Sequence, residues 1–296
     1  MEPTIDPPLV VASLVFFGIL VASFVLWIQH IRRPKNIVRE MTTENCVPAW
    51  NIGWVNFGIF ICAVVTAVFA VQSIASSLLL QPPSESSDPI ALTPSLAIFA
   101  VLFLQLPMLA VFYAARRFYP GHYASGLNGV DLTHSNALRK AVPLFLMFLP
   151  LIWITSIIWA NVLSVFQAAG WVEEIEQQEL VSLLQAGGHP VAMLLLVALA
   201  VVMAPIVEEI IFRGCIYRFL KSQTSLMAAQ IISGCVFSIM HANLLSFVPL
   251  ILVGILLARI YEKTGNLRVS IWFHALFNAF SLLMLFITSM SDAIPH

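Results

Sequence analysis

The chain has 296 residues, 60% of them hydrophobic and only 10% charged, with a formal net charge of −1. Soluble domains carry roughly a quarter charged residues, so an ordinary water-soluble globule is excluded, and a near-neutral balance gives nucleic acid no electrostatic foothold. The apolar residues come in blocks of about twenty, the length that crosses a bilayer as a helix, which predicts an all-α polytopic membrane bundle of about eight transmembrane helices.

The first block runs from Leu9 to Gln29. It has neither a basic lead nor a small-residue cleavage site, so it reads as a retained span rather than a signal peptide. Arg32, Arg33, Lys35 and Arg39 follow it and mark a cytoplasmic loop, which puts the N-terminus on the other side. The second span covers about Ile52 to Leu80, and the next loop carries Glu85 and Asp88 but no basic residue. The third, about Ser95 to Ala115, ends at Arg116 and Arg117, and Arg139 and Lys140 introduce the fourth, about Ala141 to Phe166. The acidic stretch WVEEIEQQELVSLLQAGG then predicts a short helix on the outer surface, broken at Gly187-Gly188. The fifth span starts near Pro190 and runs into APIVEEIIFRGCIYR, with Arg218 and Lys221 at its exit. The sixth covers about Ser225 to Ala242, the seventh about Leu245 to Tyr261, and the eighth about Val269 to Met290. This arrangement puts both termini on the non-cytoplasmic side. Cys46, Cys62, Cys215 and Cys235 show no CxxC spacing and read as small core residues.

Up to Val207 the predicted spans hold no Asp, Glu, Lys, Arg or His; then Glu208, Glu209, Arg213, His241 and His274 appear in quick succession. A charge at mid-bilayer costs at least ~2.5 kcal/mol on insertion scales and marks a functional site by default. The first four spans therefore read as scaffold and the C-terminal part as the seat of chemistry. Neighbouring helical residues point about 100° apart, so Glu208 and Glu209 are not expected to face one small cavity. Glu209 and Arg213 stand i,i+4 in the favourable order for an ion pair, which leaves Glu208 to face the interior. Taken alone, the pair reads equally well as interfacial carboxylates reaching for water.

Phe237 and His241 share one helical face, as do His274 and Asn278. Glu208 and His241 are nearly equidistant from a turn near Gln223, so antiparallel helices bring them within about 5 Å of one level at about 1.5 Å per residue. A single water then fits between them. His274 and Asn278 have the donors for a developing oxyanion, and equally those of a polar pair gluing helices together. His274 lies close to its own turn at Gly265-Asn266, so tilt or a longer preceding helix must bring it level with His241.

With these motifs the sequence resembles the CAAX prenyl protease and bacteriocin-processing family of intramembrane proteases, also called the Abi family. The matching residues are Glu208-Glu209 with Arg213 (EExxxR), Phe237 with His241 (FxxxH) and His274 with Asn278 (HxxxN), supported by Pro205 and by Phe212-Arg213-Gly214. The likeness covers roughly residues 190–285. It implies a protease domain of four spans over residues 190–296, and the charge-free spans before it leave residues 1–189 as an N-terminal scaffold of four spans. It also implies an endopeptidase that hydrolyses membrane-associated peptide or protein substrates, of the CAAX or bacteriocin type, within the lipid bilayer. By the same resemblance Glu208 and His241 activate the attacking water, His274 and Asn278 form the oxyanion hole, and Glu209, Arg213 and Phe237 support them. The family is commonly called a metalloprotease, and Glu208, His241 and His274 are the ligands if a divalent metal such as zinc is bound. There is no HExxH, hence no preformed ligand pair on one helix, and the preferred expectation is a water activated by glutamate and histidine without a metal. Two other readings stand beside the enzyme: a non-proteolytic immunity or partner-binding relative, and a transporter. The second expects inverted repeats and broken helices in both halves, and the first half has no intramembrane charge. In a bacterial host the location is the cell membrane.

Overall fold

The computed structural model describes residues 7–32, 47–79, 93–172 and 188–292, with the side chains of 78–79 and 288–292 left aside. Arg33 to Arg39, the loop bearing Glu85 and Asp88, most of the acidic stretch after Phe166, and Cys46 lie outside these residues. Eight helices stand at the eight places expected: α1 (Pro7–Arg32), α2 (Trp54–Leu79), α3 (Pro94–Phe118), α4 (His134–Ala168), α5 (Pro190–Gln223), α6 (Leu226–Ile239), α7 (Phe247–Thr264) and α8 (Leu267–Asp292). No strand occurs among the described residues, and the chain is an integral, multi-pass membrane protein.

Helix ends follow local chemistry. Thr93, Thr133 and Ser225 each cap a helix start by accepting a backbone N–H three residues on, from Leu96, Asn136 and Ala228. Pro94 and Pro190 occupy first-turn positions where their missing N–H costs nothing. Gly265, at φ 65°, closes α7 in the left-handed region.

Six of the eight helices are long and apolar enough to cross a membrane. The exceptions are α6 and α7. With 14 residues, α6 reaches about 21 Å, short of a hydrocarbon core of about 30 Å. The final turns of α7 carry Arg259, Glu262 and Lys263. These two form a short hairpin whose non-helical tip, Met240 to Ser246, is satisfied by protein groups: Asn243 Oδ1 accepts from Ser246 N (2.9 Å) and Trp159 Nε1 donates to the Leu244 carbonyl (2.8 Å). Irregular backbone within a bilayer is tolerated only where protein or a water-lined cavity surrounds it. Gly234 and Gly254 let α6 and α7 touch. A Cβ on Gly254 would lie 2.6 Å from the Cα of Gly234.

Two apolar cores fill the bundle. One gathers Phe60, Phe112, Val207, Tyr217, Phe219 and Tyr261; the other gathers Phe145, Leu149, Phe212, Phe237, Val253 and Phe273. Each draws on residues from both sides of position 189, so the expected boundary between scaffold and protease segment does not divide the packing.

Among the described residues every Lys and Arg except Arg213 sits at one end of the bundle. There the loop between α3 and α4 wedges under the α7–α8 turn. Gly129 N and Val130 N donate to the Gly265 carbonyl (2.8 and 3.0 Å), Asn128 Oδ1 accepts from Leu267 N (2.8 Å), and Asn266 Nδ2 donates to the Val130 carbonyl (2.8 Å). Arg218 clamps the same loop and the lead-in to α2, donating to Ser125 Oγ (2.8 Å) and the Pro48 carbonyl (2.6 Å). The α7–α8 turn is therefore interior, with Asn266 fully buried.

Candidate active site

The site is built on α5, whose α-helical hydrogen bonding is interrupted twice, by wider π-type turns at Leu199–Met203 and Glu209–Tyr217. Ala204 N bonds back five residues to the Leu199 carbonyl, which marks the first of them. Insertions of this kind re-aim side chains and recur at functional sites. Glu208 falls between the two, and Glu209 opens the second.

Glu209 is fully buried and is the anchor. Arg213 Nη1 lies 2.8 Å from its Oε1, His274 Nδ1 lies 3.1 Å from the same oxygen, and Ser270 Oγ donates to Oε2. Arg213, itself fully buried, donates through Nη2 to the Gly254 carbonyl (3.2 Å) and sits 4.4 Å above the Phe237 ring. One ion pair thus ties α5 to α6, α7 and α8. In a low-dielectric interior such a pair needs further partners, which Ser270, His274 and the Gly254 carbonyl supply, while Arg213 Nε is buried without a hydrogen-bond partner among the described residues.

Phe237 supports both imidazoles, with ring centroids 4.6 Å from His241 and 5.6 Å from His274. His241 lies just beyond the end of α6, and the chain turns there through Ala242, a non-glycine residue at φ 47°. Its Nδ1 is 2.7 Å from the Phe237 carbonyl. A carbonyl only accepts, so Nδ1 carries the proton and Nε2 presents its lone pair. The same logic applies to His274, whose Nδ1 faces the Glu209 carboxylate.

Both free Nε2 atoms point at Glu208. Its Oε2 is 3.8 Å from His241 Nε2 and 3.8 Å from His274 Nε2, and it has no hydrogen-bond partner among the described residues. His274 is therefore level with His241. The buried α7–α8 turn supplies the depth, since α8 begins inside the protein rather than at its surface. Glu208 and Glu209 point apart, as their helical spacing predicts, yet both reach one imidazole, since His274 is gripped at Nδ1 by Glu209 and approached at Nε2 by Glu208.

Asn278, one turn beyond His274, makes a different contact. Its Nδ2 donates to the Ala200 carbonyl (2.9 Å), inside the first wide turn of α5. One amide hydrogen is spent there and one remains. Two residues escaped the sequence reading. Ser270 precedes His274 by four positions, so Ser270, His274 and Asn278 form one polar stripe on α8. Gln105 on α3 places Nε2 3.3 Å from Glu208 Oε1. It is the one amide within the long apolar run of α3, a signal hidden when only charged residues are weighed.

Two imidazole nitrogens and a carboxylate oxygen are chemically a zinc donor set, and each imidazole is oriented through its other nitrogen, as metal-binding histidines are. As they stand, however, no group of three or more His, Cys, Asp or Glu side chains among the described residues is disposed to hold a metal ion. What the three acceptors require between them is a proton donor or a cation.

Fold and site together define a helical membrane protein with a partly buried glutamate-histidine centre. Residues 190–280 match the family described as type II CAAX prenyl endopeptidase Rce1-like. The chain is also 33% identical over 90 residues to YdiL of Bacillus subtilis, provisionally named a membrane peptidase; the match covers 30% of this chain and 37% of YdiL. No solved structure matches. The resemblance carried by the three motifs is thus borne out over the C-terminal segment, and it points to a peptidase, a hydrolase. The chain spans well under half the length of the curated relative it matches.

Proposed function

We propose that the protein is an intramembrane endopeptidase that hydrolyses peptide bonds of membrane-associated substrates, of the CAAX or bacteriocin type. The observation that carries the reading is the approach of two histidine Nε2 atoms, from different helices, to the one unpartnered oxygen of Glu208. A water held there donates to Glu208 Oε2 and is aligned by His241. Glu208 removes its proton as the oxygen attacks the scissile carbonyl carbon. The oxyanion that forms is met by the remaining amide hydrogen of Asn278 and by His274, which donates from Nε2 only when a proton from solvent occupies that nitrogen, beside the Glu209 carboxylate. Collapse breaks the C–N bond, and the proton on Glu208 passes to the leaving amine.

This route uses only side chains of the chain itself, and we propose that it runs without a metal. If zinc were bound, Glu208, His241 and His274 would hold it, and the chemistry supplied would be Lewis-acid activation of the water. The basic end of the bundle would face the cytoplasm, with both termini on the opposite side.

The testing experiment compares membrane peptides from cells carrying the wild-type chain, a deletion, and Glu208→Ala. The reading expects a cleavage product that is present with wild type and missing from both others. A product pattern unchanged by Glu208→Ala sinks it.

A further inference from the structure

Gln105 lies outside the segment that matches the peptidase family, on a helix that reads from sequence as scaffold. Its side chain is buried, at 3% exposure, in the middle of a helix that is otherwise apolar from Leu96 to Ala115. An amide placed there loses water and must regain hydrogen bonds from protein. It regains one, from Nε2 to Glu208 Oε1, while its own Oε1 is buried without a partner among the described residues. The orientation is chemically forced, because a carboxylate oxygen accepts and only the NH2 end of the amide donates. A buried polar group left half satisfied is what packing alone would remove.

The contact divides the two oxygens of Glu208. Oε1 is engaged by Gln105, and Oε2 is the oxygen that both histidines approach. A glutamate has three side-chain torsions, and no helix neighbour holds Glu208 as Arg213 holds Glu209. Without the amide the carboxylate is free to rotate, and either oxygen can turn from the histidines.

We infer that Gln105 is a positioning residue: it holds Glu208 Oε1 so that Oε2 alone faces the water site, and α3 thereby completes the active centre of the family-like segment. This rests on the proteolytic reading of Glu208 above. The partly satisfied amide is the stability sacrificed for that alignment.

The probe is the membrane peptide whose cleavage is present with wild type and lost with Glu208→Ala, made synthetically and assayed on the full-length protein in detergent. Gln105→Met keeps the length of the side chain and removes the donor. It is expected to lower kcat about 10- to 100-fold, the range of one hydrogen bond to a charged group, with KM unchanged within about twofold. Its melting temperature is expected to stay at or above wild type, because an apolar side chain replaces a half-satisfied amide. Gln105→Glu, of the same shape, sets a second carboxylate against Glu208 and is expected to lose at least as much rate. A wild-type kcat in Gln105→Met, or a loss that appears only in KM, overturns the role of Gln105 and leaves Glu208 as base. If no peptide is lost with Glu208→Ala, the proteolytic reading falls and this inference falls with it.

Discussion

Glu209 Oε1 lies 3.1 Å from Nδ1 of His274, on a carboxylate that Arg213 also engages at 2.8 Å. The residue beside it, Glu208, approaches the other nitrogen of the same ring at 3.8 Å. Two adjacent carboxylates therefore serve one imidazole in different ways. The fully buried one fixes its orientation, and the partly exposed one shares with it the place where a proton or cation must sit.

That division predicts opposite behaviour for two neighbouring substitutions. Glu209→Ala strands the fully buried Arg213 without its counter-charge and should destabilise the protein by about 3–5 kcal/mol. Glu208→Ala removes no ion-pair partner of Arg213 at hydrogen-bonding distance and should leave stability near wild type. Thermal unfolding of both variants in the same detergent checks this. Equal losses would contradict the separate roles.

Gly254→Ala tests how the α6–α7 contact positions His241. The new methyl group would sit 2.6 Å from the Gly234 Cα, where only backbone movement makes room. Overpacking of this kind costs about 1–3 kcal/mol. Because Gly254 also lends its carbonyl to Arg213, the strain passes directly to the anchor of the site. A lower melting temperature together with reduced cleavage is expected; unchanged values of both would show that α6 has slack there.

Dialysis of the purified full-length protein against EDTA and then 1,10-phenanthroline addresses the metal. Water activation by Glu208 and His241 alone predicts that the cleavage rate persists. Loss of rate, restored by added zinc and by no treatment lacking zinc, would contradict the metal-free route.

Much of the bundle was legible in the sequence because membrane spans impose length and apolarity: helices stand at all eight expected places, and six of them are long and apolar enough to cross. The site was legible as far as charge could reveal it. Glu208, Glu209, Arg213, His241 and His274 stood out against apolar surroundings and do converge. Gln105 and Ser270 did not stand out, since an amide and a hydroxyl are tolerated in spans for many reasons and their partners lie on other helices. The level of His274 was left open by the sequence for a physical reason. Counting residues from a turn assumes that the turn lies at the surface, whereas the α3–α4 loop buries Gly265-Asn266 from below. The resemblance implied an oxyanion role for Asn278, and neither it nor the spacing could show that the wide turn of α5 offers the same side chain the Ala200 carbonyl.

The central claim is that Glu208 is the base, and the cleavage rate of Glu208→Ala on the identified membrane peptide tests it most directly. The account predicts no measurable cleavage from a protein that melts at the wild-type temperature, and the same outcome for His241→Ala. Wild-type cleavage by either folded variant would contradict it.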